Sequence, residues 1–386
     1  MASHDPFGPL TSASVHQSFA RNDNSVIGRW WWTVDRWMLL AILILIAFGI
    51  LMSLAAAPSV AVRIDASNDF ALANRQLMLV PVALLGIVIT SLIPPLLLRR
   101  LCVIAFVISL VVLALVLVVG VQTKGAVRWI NVLGFSLQPS EFAKPLFAVT
   151  CAWLLATQGQ YSHFPGRVLA TFIYIVTLVL LLLEPDFGQA LLITSIWAAV
   201  MFFAGLPMLW FFGIGVAGLL LVGFAYYTLE HVQRRIHDFF SPTEQTDTYQ
   251  IDKSLEAFRD GGLFGKGPGE GSIKGQLPDA HADFVYAVIG EEFGLIACVL
   301  LLGVIMFVVY RAVKHMSAER DLFIALAIGG IATQFLVQNT INMATSLNLI
   351  PTKGMTMPFV SYGGSSLLAS AFMMGALLAF TRKRSA

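Results

Sequence analysis

Charge is scarce in this chain. Of 386 residues, 24 are Lys or Arg and 22 are Asp or Glu, so charged side chains make up 12%, against about 25% in an average soluble domain. No block of like charge occurs and the formal net charge is only +2, which excludes a nucleic-acid surface built on a basic patch. Cysteine is nearly absent. Cys102, Cys151 and Cys298 each lie inside an apolar run, which reads as small core residues rather than a disulfide framework or a metal site. A phosphate-cradling loop is missing as well. The glycine-rich run from Gly261 to Gly275 lacks the GxxxxGK[ST] spacing, and no strand precedes it. No internal repeat and no second domain is visible.

What the chain has instead is apolar length. Hydrophobic residues make up 58% and the mean hydropathy is +0.80, the profile of a polytopic membrane protein. A span needs about 20 apolar residues. Ten segments approach that, at 37–57, 77–98, 101–121, 141–157, 168–184, 187–204, 207–228, 284–310, 321–346 and 362–381. The expected fold is therefore an all-α bundle of about ten transmembrane helices. Residues 1–28 are polar and aperiodic and read as a disordered cytoplasmic tail; 29–386 form a single transmembrane domain. Ala55-Ala56-Ala57 resembles a signal-peptidase site, but Pro58 follows directly and a long polar leader precedes the run, so an uncleaved first helix is the better reading.

Arg29-Trp30-Trp31-Trp32, with Arg36 and Trp37 behind, marks a membrane interface. Arg29, Arg36, Arg99, Arg100, Arg167, Arg311, Lys314 and Arg382-Lys383-Arg384 then fall on one side of the ten spans. By the positive-inside bias that side is cytoplasmic and holds both termini. The opposite side receives loops 58–76, 122–140, 229–283 and 347–361. The largest, 229–283, is the one large extracytoplasmic loop and contains an amphipathic piece from Tyr249 to Phe258.

The chemistry concentrates on those loops. In Gln276–Gly294, Asp279, His281 and Asp283 fall just before an apolar run that also holds Glu291 and Glu292. At about 1.5 Å per residue, Glu291 lies roughly 12 Å below Asp283 along a helix, a depth at which ionisable groups are expensive. Asp before an apolar helix is equally well a helix cap or a general base. In the 122–144 stretch, Lys124, Arg128 and Lys144 are cations, with Glu141 three residues before Lys144. They suit a helix start and an interfacial anchor, and equally a pyrophosphate contact. Glu184-Pro185-Asp186 is either a solvated turn or part of a site. Gln338, Asn339 and Asn342 within a span more often bridge helices than bind substrate.

Taken together and in order, KGAVRW and QPSEFAK (124–144), EPDFGQA (184–190), LPDAHADF (277–284), VIGEEFG, PTKG (351–354) and SYGGSS (361–366) resemble the SEDS family (shape, elongation, division and sporulation) of bacterial cell-wall synthesis. The likeness covers nearly the whole chain after the tail, and its PDAH and PTKG forms are more similar to division members than to elongation members. The resemblance implies a peptidoglycan glycosyltransferase that polymerises lipid II at the septum and releases undecaprenyl pyrophosphate. It places the essential aspartate on Asp283 as general base. Arg75, Lys124, Arg128, Lys144 and Lys353 become candidate contacts to pyrophosphate and head group, Glu141 would orient Lys144, and His281 joins the substrate side. Glu291 and Glu292 would tune the field below Asp283 or serve structure alone.

Where the family usually has Thr, this chain has Ala282, so no hydroxyl precedes Asp283. The resemblance also implies help from a divalent cation (Mg or Mn), for which the sequence offers no dedicated ligand cluster. The implied partners are lipid II, an FtsI-like class B penicillin-binding protein and other division proteins, in the bacterial inner membrane. A lipid II flippase and a non-catalytic division scaffold are the competing classes. The first would be expected to show repeat symmetry; the second would tolerate Asp283→Asn.

Overall fold

The computed structural model describes the chain from Ser25 to Lys383, apart from residues 64–69, 124–125, 133–134, 278, 352–353 and most of 208–246. Of the expected tail, residues up to 24 lie outside the described part, and from Val26 the chain is already helical. The helices are α1 (Val26–Thr33), α2 (Arg36–Arg63), α3 (Ala71–Leu92), α4 (Pro95–Val119), α5 (Pro139–Gln160), α6 (Gly166–Leu183), α7 (Phe187–Phe203), α8 (Asp247–Gly261), α9 (Val285–Ala318), α10 (Leu322–Ser346) and α11 (Gly364–Thr381). Nine of the ten expected spans coincide with helices. The remaining one, 207–228, lies mostly outside the described residues.

Sequence punctuation sets these boundaries. Pro95 and Pro139 open α4 and α5 at their first turns, where a missing amide proton costs nothing. Asp186 and Asp321 cap α7 and α10 by accepting from Gln189 N (3.3 Å) and Phe323 N (2.9 Å), which satisfies donors that a helix start leaves orphaned. Among the described residues seven helices are long and apolar enough to cross a membrane: Arg36–Ala56, Ala73–Leu92, α4, α6, α9, α10 and α11. Within those spans, α11 is 83% and α10 is 72% buried, while α6 is only 22% buried. The middle of the bundle is therefore α10 and α11, with α5, most of whose residues are buried. The helices α4 and α6 turn exposed Leu, Ile, Val and Phe outward, toward lipid.

Two features depart from the all-α expectation. Between α4 and α5 the chain forms an antiparallel meander, β1 (Val121–Thr123), β2 (Ala126–Val132) and β3 (Phe135–Leu137), in the order β1-β2-β3. Val121 pairs with Trp129 and Ile130 with Leu137. Helix α9 is also broken, at Gly294 (φ 75°, ψ −178°). The turn at 262–267 fills the break. Gly262 O and Leu263 O accept from Leu295 N (3.0 Å) and Ile296 N (3.3 Å), while Lys266 N and Gly267 N donate to Glu291 O (3.0 Å) and Glu292 O (2.9 Å). Backbone groups freed by the break are thereby paired again, as a membrane-embedded bundle demands.

The break changes the meaning of Glu291 and Glu292. Every residue from Val285 to Glu292 is buried in protein, under α8 and the glycine-rich run. Glu291 accepts from Ile273 N (2.7 Å) and Lys274 N (2.9 Å). Glu292 pairs with Lys274 Nζ, which also donates to Gly269 O (2.8 Å) and Ala55 O (3.0 Å). The two carboxylates fasten the glycine-rich loop to α9, a structural role for both. At its far end α9 is fastened again. Arg311 (2.6 and 2.9 Å) and His315 (2.7 Å) converge on Asp35 Oδ2. Burial would raise the Asp35 pKa, but hydrogen bonds from His315, the Met38 amide and Arg311 outweigh it and hold the carboxyl well below the usual range.

Gly294 occupies the left-handed region, and a Cβ there would meet Leu263 O at 2.4 Å. Gly294→Ala is expected to destabilise the protein by about 1–3 kcal/mol, read as a lower melting temperature in detergent. Gly303→Ala, on the same helix with nothing near its Cβ position, is expected to leave the melting temperature unchanged or raise it slightly.

Candidate active site

The approach to α9 forms a tight turn around Asp279. Its φ is +53°, and its carbonyl accepts from Ala282 N (2.9 Å) and Asp283 N (3.0 Å), with Phe284 N at 3.5 Å. The helix cap is Phe284, with no side-chain cap bond. Asp283 thus stands one residue ahead of the cap position, with its own amide bonded to the Asp279 carbonyl. The next three carbonyls are each held by a donor from another segment. Tyr362 N donates to His281 O (2.8 Å), Ser361 Oγ to Ala282 O (2.6 Å) and Asn342 Nδ2 to Asp283 O (3.0 Å). Asn342 Nδ2 also donates to Met355 O (2.7 Å), and Ser361 Oγ accepts from Met357 N (2.8 Å). The main chain of Asp283 is thus fixed from α10 and from the loop before α11. Its carboxylate lies against Gly354, 3.7 Å from where a Cβ would stand.

Around this turn stand His281 and Tyr362, with ring centroids 5.4 Å apart. Both are half-buried. Burial pushes the Tyr362 phenol up, and the charge of Arg75 opposes that shift, so Arg75 belongs to the same neighbourhood.

A second cluster sits at the start of α5 and α7. Arg128 Nε donates to Glu184 O (3.2 Å), its Nη2 donates to Pro185 O, and Nε lies 3.7 Å from Asp186 Oδ2. From there a polar chain runs inward. Gln189 Nε2 donates to Glu141 Oε1 (2.6 Å), Glu141 Oε2 is 2.9 Å from Lys144 Nζ, and Lys144 donates to Gln338 Oε1 (3.3 Å). Gln338 Nε2 donates to Thr356 O (3.0 Å), and Thr356 Oγ1 meets Ser366 Oγ at 2.6 Å. Lys144 is only 1% exposed, so its ammonium is committed to protein partners. The two clusters meet at residues 355–356, where Asn342 and Gln338 hold successive carbonyls.

Glu184 is the outlier of the second cluster. It is 1% exposed, and among the described residues neither carboxyl oxygen has a hydrogen-bond partner. Burial, with the charge of Asp186, pushes its pKa up to about 8 against the opposing pull of Arg128. Burial likewise raises Asp186, again opposed by Arg128.

The structure thus brings Asp283, His281 and Arg75 to one neighbourhood and Arg128, Glu141 and Lys144 to another, joined by a shared seam. Lys124 and Lys353 lie outside the described residues. Sequence reasoning missed Gln189 and Thr356 as links, since a lone polar residue near a helix start carries no signal of its partner. Gln338 and Asn342 bridge segments, as polar residues in a span commonly do. Among the described residues no group of three His, Cys, Asp or Glu side chains could hold a metal ion.

Comparison with known proteins places the chain. The family model for the cell cycle proteins FtsW, RodA and SpoVE matches residues 36–386. The probable peptidoglycan glycosyltransferase FtsW of Caulobacter vibrioides is 41% identical over 375 residues, covering 97% of this chain and 96% of its own. The corresponding protein of Trichlorobacter lovleyi is 37% identical over 352 residues, covering 89% and 92%. A solved chain from a peptidoglycan synthase complex that coordinates polymerization and crosslinking superposes with a TM-score of 0.77 at 26% identity, covering 90% of this chain and 97% of that one. RodA of Thermus thermophilus superposes with a TM-score of 0.66 at 27% identity, covering 90% and 96%.

Two outcomes follow from the buried charges. A carboxyl whose folded pKa is raised stabilises the fold fully below its unfolded value and loses that contribution as pH rises through the folded one. For Glu184 the window runs from its ordinary 4.5 to about 8. Glu184→Gln should therefore match the wild type in melting temperature near the bottom of that window and exceed it above the top. Lys144→Ala leaves Glu141 buried and uncompensated, with an expected loss of about 3–5 kcal/mol. The double variant Glu141→Gln, Lys144→Met should recover most of it in the same melting assay.

Proposed function

The chain belongs to the FtsW, RodA and SpoVE family of cell cycle proteins, and on that premise we propose how its residues do their work. It is a membrane-embedded, FtsW-like peptidoglycan glycosyltransferase. In the proposed reaction the 4-hydroxyl of the GlcNAc of one lipid II attacks the anomeric carbon of the MurNAc at the end of the growing glycan. The new C–O bond forms as the anomeric C–O bond to the pyrophosphate breaks. Asp283 takes the hydroxyl proton, and undecaprenyl pyrophosphate departs with the electron pair.

The observation that carries this assignment is the fixing of three successive carbonyls, at 281, 282 and 283, by Tyr362, Ser361 and Asn342. A base must be held within hydrogen-bond reach of the proton it abstracts, and small misplacements are costly. A carboxylate on an anchored, half-buried turn at the mouth of a membrane bundle fits that demand. Arg75 and Arg128 are the described cations proposed to meet the pyrophosphate, since arginine suits bidentate contact with phosphate oxygens; Lys124 and Lys353, outside the described residues, are proposed for the same role. His281 lies on the substrate side of the same turn. Lys144 and Glu141 act from within by setting Gln338 and the 355–356 seam. A divalent cation (Mg or Mn) would serve as a counter-ion to substrate phosphate.

In this reading the side bearing Asp283 is extracytoplasmic, both termini are cytoplasmic, and the enzyme works at the septum with an FtsI-like class B penicillin-binding protein and other division proteins. The test is glycan synthesis from purified lipid II, with and without that partner. Wild type should polymerise. Asp283→Asn should lose activity by about 10²-fold or more, with melting temperature and partner binding unchanged. Normal polymerisation by the well-folded variant would remove Asp283 as base.

A further inference from the structure

The break in α9 marks where the membrane begins. Upstream of Gly294 the helix is wrapped in protein on all sides. Downstream, Leu295–Ala318 rises about 1.5 Å per residue, long enough for one crossing. Leu295 (52%), Ile296 (45%), Val299 (58%) and Leu300 (65%) are exposed along it, as lipid-facing residues are.

The turn strapped into the break carries two large apolar side chains at that same level. Leu263 is 59% and Phe264 is 78% exposed. Their backbone is not loose. Leu263 O and its neighbour Gly262 O accept from Ile296 N and Leu295 N, and Lys266 N and Gly267 N donate back to Glu291 O and Glu292 O. The adjoining Lys266 is paired with Asp260. A fixed turn that shows Leu and Phe to a water-filled space would be a liability. Here it continues the exposed apolar face of a helix that crosses the membrane.

We propose that Leu263 and Phe264 insert into the leaflet on the side of Asp283, as a second, loop-borne membrane contact of the extracytoplasmic region. Amphipathic elements with Phe and Leu on their apolar face bind at this boundary, and lysine at its edge keeps its head in the interface. The occupant is acyl chain, because the patch is continuous with the lipid-facing side of α9. The inference rests on α9 crossing the membrane and is independent of the role of Asp283.

The test uses the full chain in lipid nanodiscs, with a bimane label on Phe264→Cys. The natural cysteines are buried, and the unsubstituted chain is carried as a blank. Leu295→Cys serves as the lipid-facing reference and Glu270→Cys, on an exposed loop position, as the aqueous one. Nitroxide-bearing phospholipids should quench the Phe264 label as strongly as the Leu295 label, with little quenching by iodide. A Phe264 label quenched by iodide like that at Glu270 would overturn the proposal. So would a label that lipid nitroxides never reach but that the class B penicillin-binding protein shields, which would assign the tip to a protein partner.

Discussion

The structure turns on one constraint: the peptide planes from His281 to Asp283 cannot move independently of α10 and α11. Asn342 comes from α10, and Ser361 and Tyr362 come from the segment entering α11. Those two helices are the most buried of the candidate spans. A loop residue is ordinarily the mobile part of a protein. Here the loop's carbonyls are bonded to donors that the bundle interior holds in place, so the carboxylate inherits the rigidity of the core. The same logic runs through the second cluster, where Gln338 of α10 holds Thr356 O and itself accepts from Lys144. Residues 355–356 are where both clusters are fastened.

Helix α9 supplies the frame. Glu291 and Glu292 tie its broken upper part to the loop that ends in Asp283, and Asp35 clasps Arg311 and His315 at its lower end. Ion pairs of this kind contribute little when solvated. Buried, they are specific, because either partner left alone would be costly. Their value here is positional: each fixes where a segment of the chain must stand.

Much of this was legible in the sequence. Apolar runs gave helices close to where the runs lie, because burial acts locally, but the boundary expected between 98 and 101 falls instead at Pro94-Pro95, where one helix ends at Leu92 and the next opens at Pro95. The order of the motifs gave the family. Three things were not legible. The meander at 121–137 has strands of 3, 7 and 3 residues; two are too short for a period-two signal and the other, AVRWINV, does not alternate. Asp283 resembled a cap because the pattern of Asp before an apolar run is the same whether the helix starts from it or from the residue after it. Glu291 and Glu292 looked intramembrane because a glycine in a helical pattern does not announce a break. Only the 262–267 turn, distant by some thirty positions in part, reveals that Gly294 ends one helix and begins another. For the break, the deciding partner lies far along the chain.

The most direct measurement is the steady-state polymerisation kinetics of Ser361→Ala, which removes the hydroxyl that bridges Ala282 O and Met357 N and leaves Asp283 in place. If the turn is held for catalysis, turnover at saturating lipid II should fall by about 10- to 100-fold, with KM and melting temperature nearly unchanged. Wild-type turnover in a folded Ser361→Ala protein, or a change confined to KM, would contradict the account.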